Sequence, residues 1–208
     1  MSFKESVEEA LENSEDRNFT ESIDLIFNFT DLDLSDPENR FNEDLKLPYQ
    51  HDEDIKVAVI GDTITENADN ADKTISEDEL EEYFDEPNKA KDLAEEFTFL
   101  IAEAPLMPKI GSQLGQVFGP RNMMPDPMPP GSDPTDTIED LRNTVTLRLA
   151  EEPVLQLKIG NEEQDAENIA RNAEAVYDFV EGELPQGSNN IKSVLVKTTM
   201  GSPAEVDN

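Results

Sequence analysis

The chain has no cysteine, no tryptophan and a single histidine, and it is poor in cations: 16 Lys and Arg stand against 49 Asp and Glu, a formal charge of -33 over 208 residues. Each shortage excludes chemistry. Without cysteine there are no disulfides, thiolate nucleophiles or zinc-thiolate sites, and one histidine removes most imidazole-based metal and acid-base constellations. His51 sits in the polar stretch YQHDED and reads as a solvated linker residue. No apolar run approaches the roughly 20 residues that span a bilayer, and the N-terminal MSFKESVEEALENSED lacks a signal-peptide pattern, so a soluble, cytoplasmic protein with no membrane partner is expected.

What is present is acid, and it is spread evenly. Divided at residues 53 and 144, the outer pieces hold 9 basic and 27 acidic residues and the middle 7 and 22, nets of -18 and -15. An acidic tail would concentrate the charge. Disorder is excluded because the 36% of hydrophobic residues fall into periodic segments. Even acidity fits a solvent of molar salt, where the Debye length falls to about 3 Å and self-repulsion is screened.

Periodicity outlines the elements. Residues 3–14 read as a helix with Val7, Ala10 and Leu11 on one stripe, and Ile23, Leu25, Phe27 and Phe29 alternate as a half-buried strand. SDPEN is a turn, FNEDLKLP a second strand ending at Pro48, and IKVAVIGD a strand apolar on both faces. Ser76 and Glu79 form a capping box, residues 87–96 a further helix, FTFLIA an apolar run, and Leu106, Ile110 and Leu114 mark another helix. A proline-rich loop to Pro134 and a short helix around Ile138 and Leu141 follow. This β-α-β-α order predicts a small parallel sheet. TVTLRLAEEPVLQLKIG reads as a hairpin, Ala166 to Val180 as the clearest helix, and IKSVLVKTTM as the last strand. The expected architecture is α/β with two domains. A split α/β sandwich-type domain is formed by both chain ends (1–52 and 145–208), with an inserted Rossmann-like parallel-sheet domain (53–144).

Two windows lack carboxylates in a chain where roughly one residue in four is acidic: Ala104–Pro125, 22 residues, and Leu184–Ala204, 21 residues. The next longest, Leu141–Ala150, has 10. Both are rich in Gly, Ser, Asn, Gln, Thr, Lys and Pro, which favour surfaces. A surface free of carboxylate where all other surface seeks it is suited to approach an anion such as a phosphate backbone. The competing explanation is a buried helix and a buried strand.

Three stretches, FGPRNMMPDP, KTTMGSPAEVD and RNFTESIDL, occur at the spacing of signature segments in one family. Together they resemble the L-one family of large-subunit ribosomal proteins, which forms the lateral stalk beside the tRNA exit site, and the resemblance covers nearly the whole chain. It implies a structural protein of the large subunit, not an enzyme, with no cofactor and no metal, that binds large-subunit rRNA and is a monomer when free. Exit-site tRNA and the protein's own mRNA, which family members repress, are the further partners it implies. The RNA-binding set so implied is Arg17, Phe19, Thr20, Glu21, Ser193, Lys197, Thr198, Thr199, Met200 and Gly201. Gly119, Pro120, Arg121, Met124, Pro125 and Pro127 match a second-domain loop. Hydroxyls of Thr198 and Thr199 and amides beside Gly201 suit phosphate and 2′-hydroxyl groups, and Met200 and Phe19 suit ribose or bases. The acidic composition resembles that of a member from a salt-loving archaeon. Asn122 stands where the family usually has Gly, Ser202 where it has Pro, and Asn161 where a basic residue is common.

Two other classes stay open on the residues alone. VAVIGDT before a helix could begin a Rossmann-type nucleotide-binding enzyme, although GxGxxG and Walker patterns are absent. An acidic protein binding cations or a basic partner would fit the charge, although no D-x-D-x-D-G loop is present.

Overall fold

The alternation of residues 22–29 decides the layer structure of the terminal segments. In the computed structural model, which describes residues 2–14, 18–52 and 54–206, strand β1 (Ser22–Phe29) buries Ile23, Leu25, Phe27 and Phe29 and turns its other residues outward. Helix α1 (Phe3–Glu12) opens with a capping box between Ser2 and Glu5 and buries Val7 and Ala10. Contacts divide the chain into two units, Met1–Glu53 with Asn143–Asn208, and Asp54–Arg142.

In the first unit β1 lies between β8 (Val154–Asn161) and β9 (Ile191–Thr198), with β10 (Ala204–Val206) at the edge, all antiparallel in the order β10-β9-β1-β8. Helix α6 (Ala166–Glu183), capped by the Asp165 side chain on Glu167 N–H, buries Ile169, Ala170, Ala173, Val176 and Val180. These residues and α1 share one core with the inward face of the sheet. Phe27 is fully buried and stacks on Phe29 and Tyr177, with ring centroids at 6.1 and 6.2 Å. Burial of one such side chain is worth about 1.5–3 kcal/mol.

The expected hairpin of residues 144–161 does not form. β7 (Thr144–Leu149) pairs with β2 (Phe41–Lys46) in a separate two-stranded sheet, whereas β8 pairs with β1. Pro153, which has no N–H to donate, accepts from Phe29 N–H at 2.9 Å at the start of β8. Alternation marks the strands; their partners lie about a hundred positions away or more. His51 also departs from expectation. It is 5% exposed, and burial pushes its imidazole below the usual range, with Asp52 opposing and Lys158 assisting that shift.

The second unit is a parallel sheet in the order β4-β3-β5-β6, formed by β3 (Val57–Ile60), β4 (Lys73–Ile75), β5 (Phe99–Glu103) and β6 (Asp126–Met128). All four residues of β3 are buried. Ala58 and Ile60 pack with helices α2 (Glu77–Asp85), α3 (Pro87–Glu96) and α4 (Met107–Phe118), and Val57 and Val59 pack on the other side with Ile64 and α5 (Thr135–Arg142). The capping box of Ser76 and Glu79 opens α2. Pro127, read as part of a loop, lies inside β6, where the edge position tolerates a residue without N–H.

Candidate nucleic-acid interface

At the entry to β1 the chain runs Phe19-Thr20-Glu21, and the end of β9 turns back beside it. Gly201 N–H donates to Thr198 C=O at 3.1 Å, which closes a tight turn with Thr199 and Met200 at its tip. Glu21, only 1% exposed, pins this turn: its Oε2 accepts from Met200 N–H at 2.8 Å. Thr199 N–H donates to Ser22 C=O at 3.0 Å. Glu21 is held in turn by residues past β8, since its N–H donates to Glu162 Oε1 at 2.9 Å and its C=O accepts from Glu162 N–H at 3.0 Å. The Thr20 hydroxyl donates to Glu163 at 2.9 Å.

The pinned turn and the segment entering β1 each expose one large apolar side chain. Phe19 is 56% and Met200 60% exposed, and with Met124 and Val154 they complete the exposed large hydrophobics among the described residues. Thr199 and Ser202 are also exposed. Thr198 is not: it faces inward, fully buried, with its hydroxyl under Gly201, so the expected hydroxyl contact to RNA is not available from it. A Cβ on Gly201 would collide with that hydroxyl, so the close approach is what requires glycine there. The Glu21 carboxylate likewise faces the turn and acts on the surface by positioning Met200. Arg17 lies outside the described residues.

Ser193 and Lys197 belong to a neighbouring surface, the face of the four-stranded sheet opposite its helices. Outward on β1, β9 and β8 stand Ser22, Asp24, Ile26 and Asn28, then Ser193, Leu195 and Lys197, then Val154, Gln156 and Lys158. With Glu205 of β10, which pairs with Leu195, that face holds two acids and two bases in a protein of charge -33. Its polar groups are ordered across strands: Asn28 Nδ2 donates to Ser193 Oγ at 3.0 Å, and Gln156 Nε2 to Asp24 Oδ2 at 3.2 Å. Burial raises the Asp24 carboxyl above its ordinary range, opposed by the Gln156 hydrogen bond and by Lys197 and Lys158. The Glu162 and Glu163 clamps and the β1 and β8 side of this face were missed in the sequence. For the face, the in-out alternation of 154–161 beside 22–29 carried the signal.

The other carboxylate-free window divides between core and surface. Leu106, Ile110, Leu114, Phe118 and Pro125 are buried, and Gly119, Pro120, Arg121 and Met124 are exposed, as is Pro127 just beyond the window. Asn122 takes a left-handed φ of 56°, the conformation for which glycine is usual and which Asn also adopts. Its cations are compensated: Lys109 lies 3.1 Å from Glu81, and Arg121 lies 3.6 Å from Glu95. Burial also explains part of the C-terminal window, where Leu184, Asn190, Ile191, Val194 and Val196 are internal. Asn190 bridges the carbonyls of Thr30 and Asp31 and accepts from Gln186 N–H. No group of His, Cys, Asp and Glu suited to a metal ion occurs among the described residues. No helix among them is long and apolar enough to cross a membrane.

The pinned turn, the Asn122 loop and the segment entering β1 are the three places that carry the sequence resemblance, and comparison with known proteins agrees with them. Residues 10–202 match the model of the ribosomal protein L1p/L10e family. The chain belongs to that family. It is 43% identical over 205 residues to the large ribosomal subunit protein uL1 of Methanothermobacter thermautotrophicus, covering 97% of each chain. It is 44% identical over 206 residues to the uL1 of Pyrococcus horikoshii, covering 98% of this chain and 94% of that one. The uL1 of Natronomonas pharaonis is 42% identical over 207 residues, covering 99% and 98%.

Proposed function

We propose that the protein is a structural component of the large ribosomal subunit that binds its rRNA through the first unit, using Phe19, Thr20, Thr199, Met200 and Gly201 with the adjoining sheet face of Ser193 and Lys197. The observation that carries this reading is the buried Glu21 carboxylate fixing the turn that exposes Met200, at the end of the segment that exposes Phe19. Exposed apolar side chains beside the hydroxyls of Thr20 and Thr199, which donate to Glu163 and Ser22 C=O and keep oxygen lone pairs that can accept, match ribose and unstacked bases, which proteins recognise in folded RNA through stacking, 2′-hydroxyl and phosphate contacts. In the same reading, the exposed loop 119–124 of the second unit is the candidate contact for exit-site tRNA, and the first unit also takes a fold in the protein's own mRNA. Ultraviolet crosslinking of the protein to total rRNA in molar potassium chloride, with mass spectrometry of the adducts and sequencing of the bound RNA, tests this. Adducts are expected in residues 18–22 and 193–202 on large-subunit rRNA. Adducts confined to the second unit, or spread evenly over small- and large-subunit rRNA, would overturn it.

A further inference from the structure

The parallel sheet of the second unit has a switch point. From β3 the chain moves out to β4 and then returns across to β5, so the loops after β3 and β5 diverge at their carboxyl ends. In open parallel sheets that crevice is the usual ligand site, with loop N–H groups turned toward a phosphate or other anion. Here it is occupied from within. Glu103, the last residue of β5, is 8% exposed, and its Oε1 accepts from Thr63 N–H at 2.7 Å, Thr63 Oγ1 at 2.9 Å and Ile64 N–H at 3.1 Å.

The surroundings are shaped to that carboxylate. Gly61, at φ +150°, lies so close that a Cβ would come within 2.7 Å of Oε1. Gly131 N–H donates to the Thr63 hydroxyl at 2.7 Å, which ties the loop after β6 to the same point. Burial alone would raise the Glu103 carboxyl; the hydrogen bonds from Thr63, Ile64 and Asp62 outweigh it and hold the group below its ordinary range. The nearby helix terminus is closed as well. At the start of α2, Glu77 N–H donates to Asp62 Oδ1 at 2.9 Å and Glu79 N–H to Ser76 Oγ at 3.3 Å.

We propose that Glu103 is an internal ligand: its carboxylate fills the anion cradle at the switch point, so that this Rossmann-like unit is closed to nucleotides and uses the cradle to join three loops. The cradle itself is a carboxylate site, and removing the side chain beyond Cβ leaves a space with the shape and charge preference of acetate. The test uses full-length protein at one ionic strength, in potassium chloride and in potassium acetate. Glu103→Ala should melt about 5 °C or more below the wild type in chloride, and acetate should recover at least half of that difference. The wild type and Glu103→Gln, which keeps the shape and an acceptor oxygen, should show no acetate-specific shift beyond each other's. Equal behaviour of Glu103→Ala in the two salts would overturn the proposal. Calorimetric titration of the wild type with ATP and with inorganic phosphate needs no variant to fold. No binding is expected, and saturable binding of either would also overturn it.

Discussion

Replacing Phe19 and Met200 together by alanine should weaken binding to the crosslinked rRNA fragment by about 100-fold and leave the melting temperature within about 2 °C of the wild type. Both side chains are more than half exposed, so neither contributes much to the core. Contact with a base or ribose buries them only in the complex, and stacking of one base on an aromatic side chain such as Phe19 is worth about 1–3 kcal/mol by alanine substitution. A stacking contact of about 2 kcal/mol at Phe19 and an apolar contact of about 1 kcal/mol at Met200 give about 3 kcal/mol, or two decades. Filter binding in molar salt beside a thermal melt reads both quantities. Unchanged affinity would remove these residues from the interface, and an equal loss of stability would make them structural.

Glu21→Ala should produce the largest combined effect: about 1–3 kcal/mol of stability lost and RNA affinity reduced by more than tenfold. The substitution leaves the part-buried Met200 N–H without its partner, while the Glu162 clamp, which holds the backbone of residue 21, stays in place. The turn that presents Thr199 and Met200 then loses its fixed geometry, and ordering it costs binding energy. Glu21→Gln keeps an acceptor oxygen for Met200 N–H and should bind within about threefold of the wild type, because one retained hydrogen bond of this kind is worth about 1 kcal/mol. The pair separates positioning from charge. If Glu21→Gln is as weak as Glu21→Ala, the negative charge acts directly; if both bind normally, the turn needs no pin.

Much of this protein could be read from its sequence because the signals are local. In-out alternation placed Ile23, Leu25, Phe27 and Phe29 on the core side of β1, and the continuous apolar run of β3 foretold burial on both faces. The strands β4, β6 and β10 were not legible, since three residues carry no measurable period. Nor was the choice of β2 for β7 and β1 for β8, because pairing depends on chain segments far apart. The interface divides in the same way. Its residue types were visible as carboxylate-free windows, although burial of Leu184, Asn190 and Val194 accounts for part of one of them. The inward turn of Thr198 was legible in principle, since it continues the in-out alternation of Val194 and Val196 to the end of β9. The Glu21 pin joins residues 179 positions apart, and no local pattern could disclose it.

The central claim is that so acidic a chain holds RNA by short contacts on one prepared surface and not by a positive field. Titration of rRNA-fragment affinity between half-molar and three-molar potassium chloride tests it most directly. Counterion release gains little when the bulk already holds concentrated cations, and attraction beyond about 3 Å is screened at such salt. The plot of log affinity against log salt should therefore fall with a slope shallower than about -3, because few phosphates are neutralised. A slope of about -5 to -9, as given by roughly 6 to 10 phosphate contacts, would contradict the account.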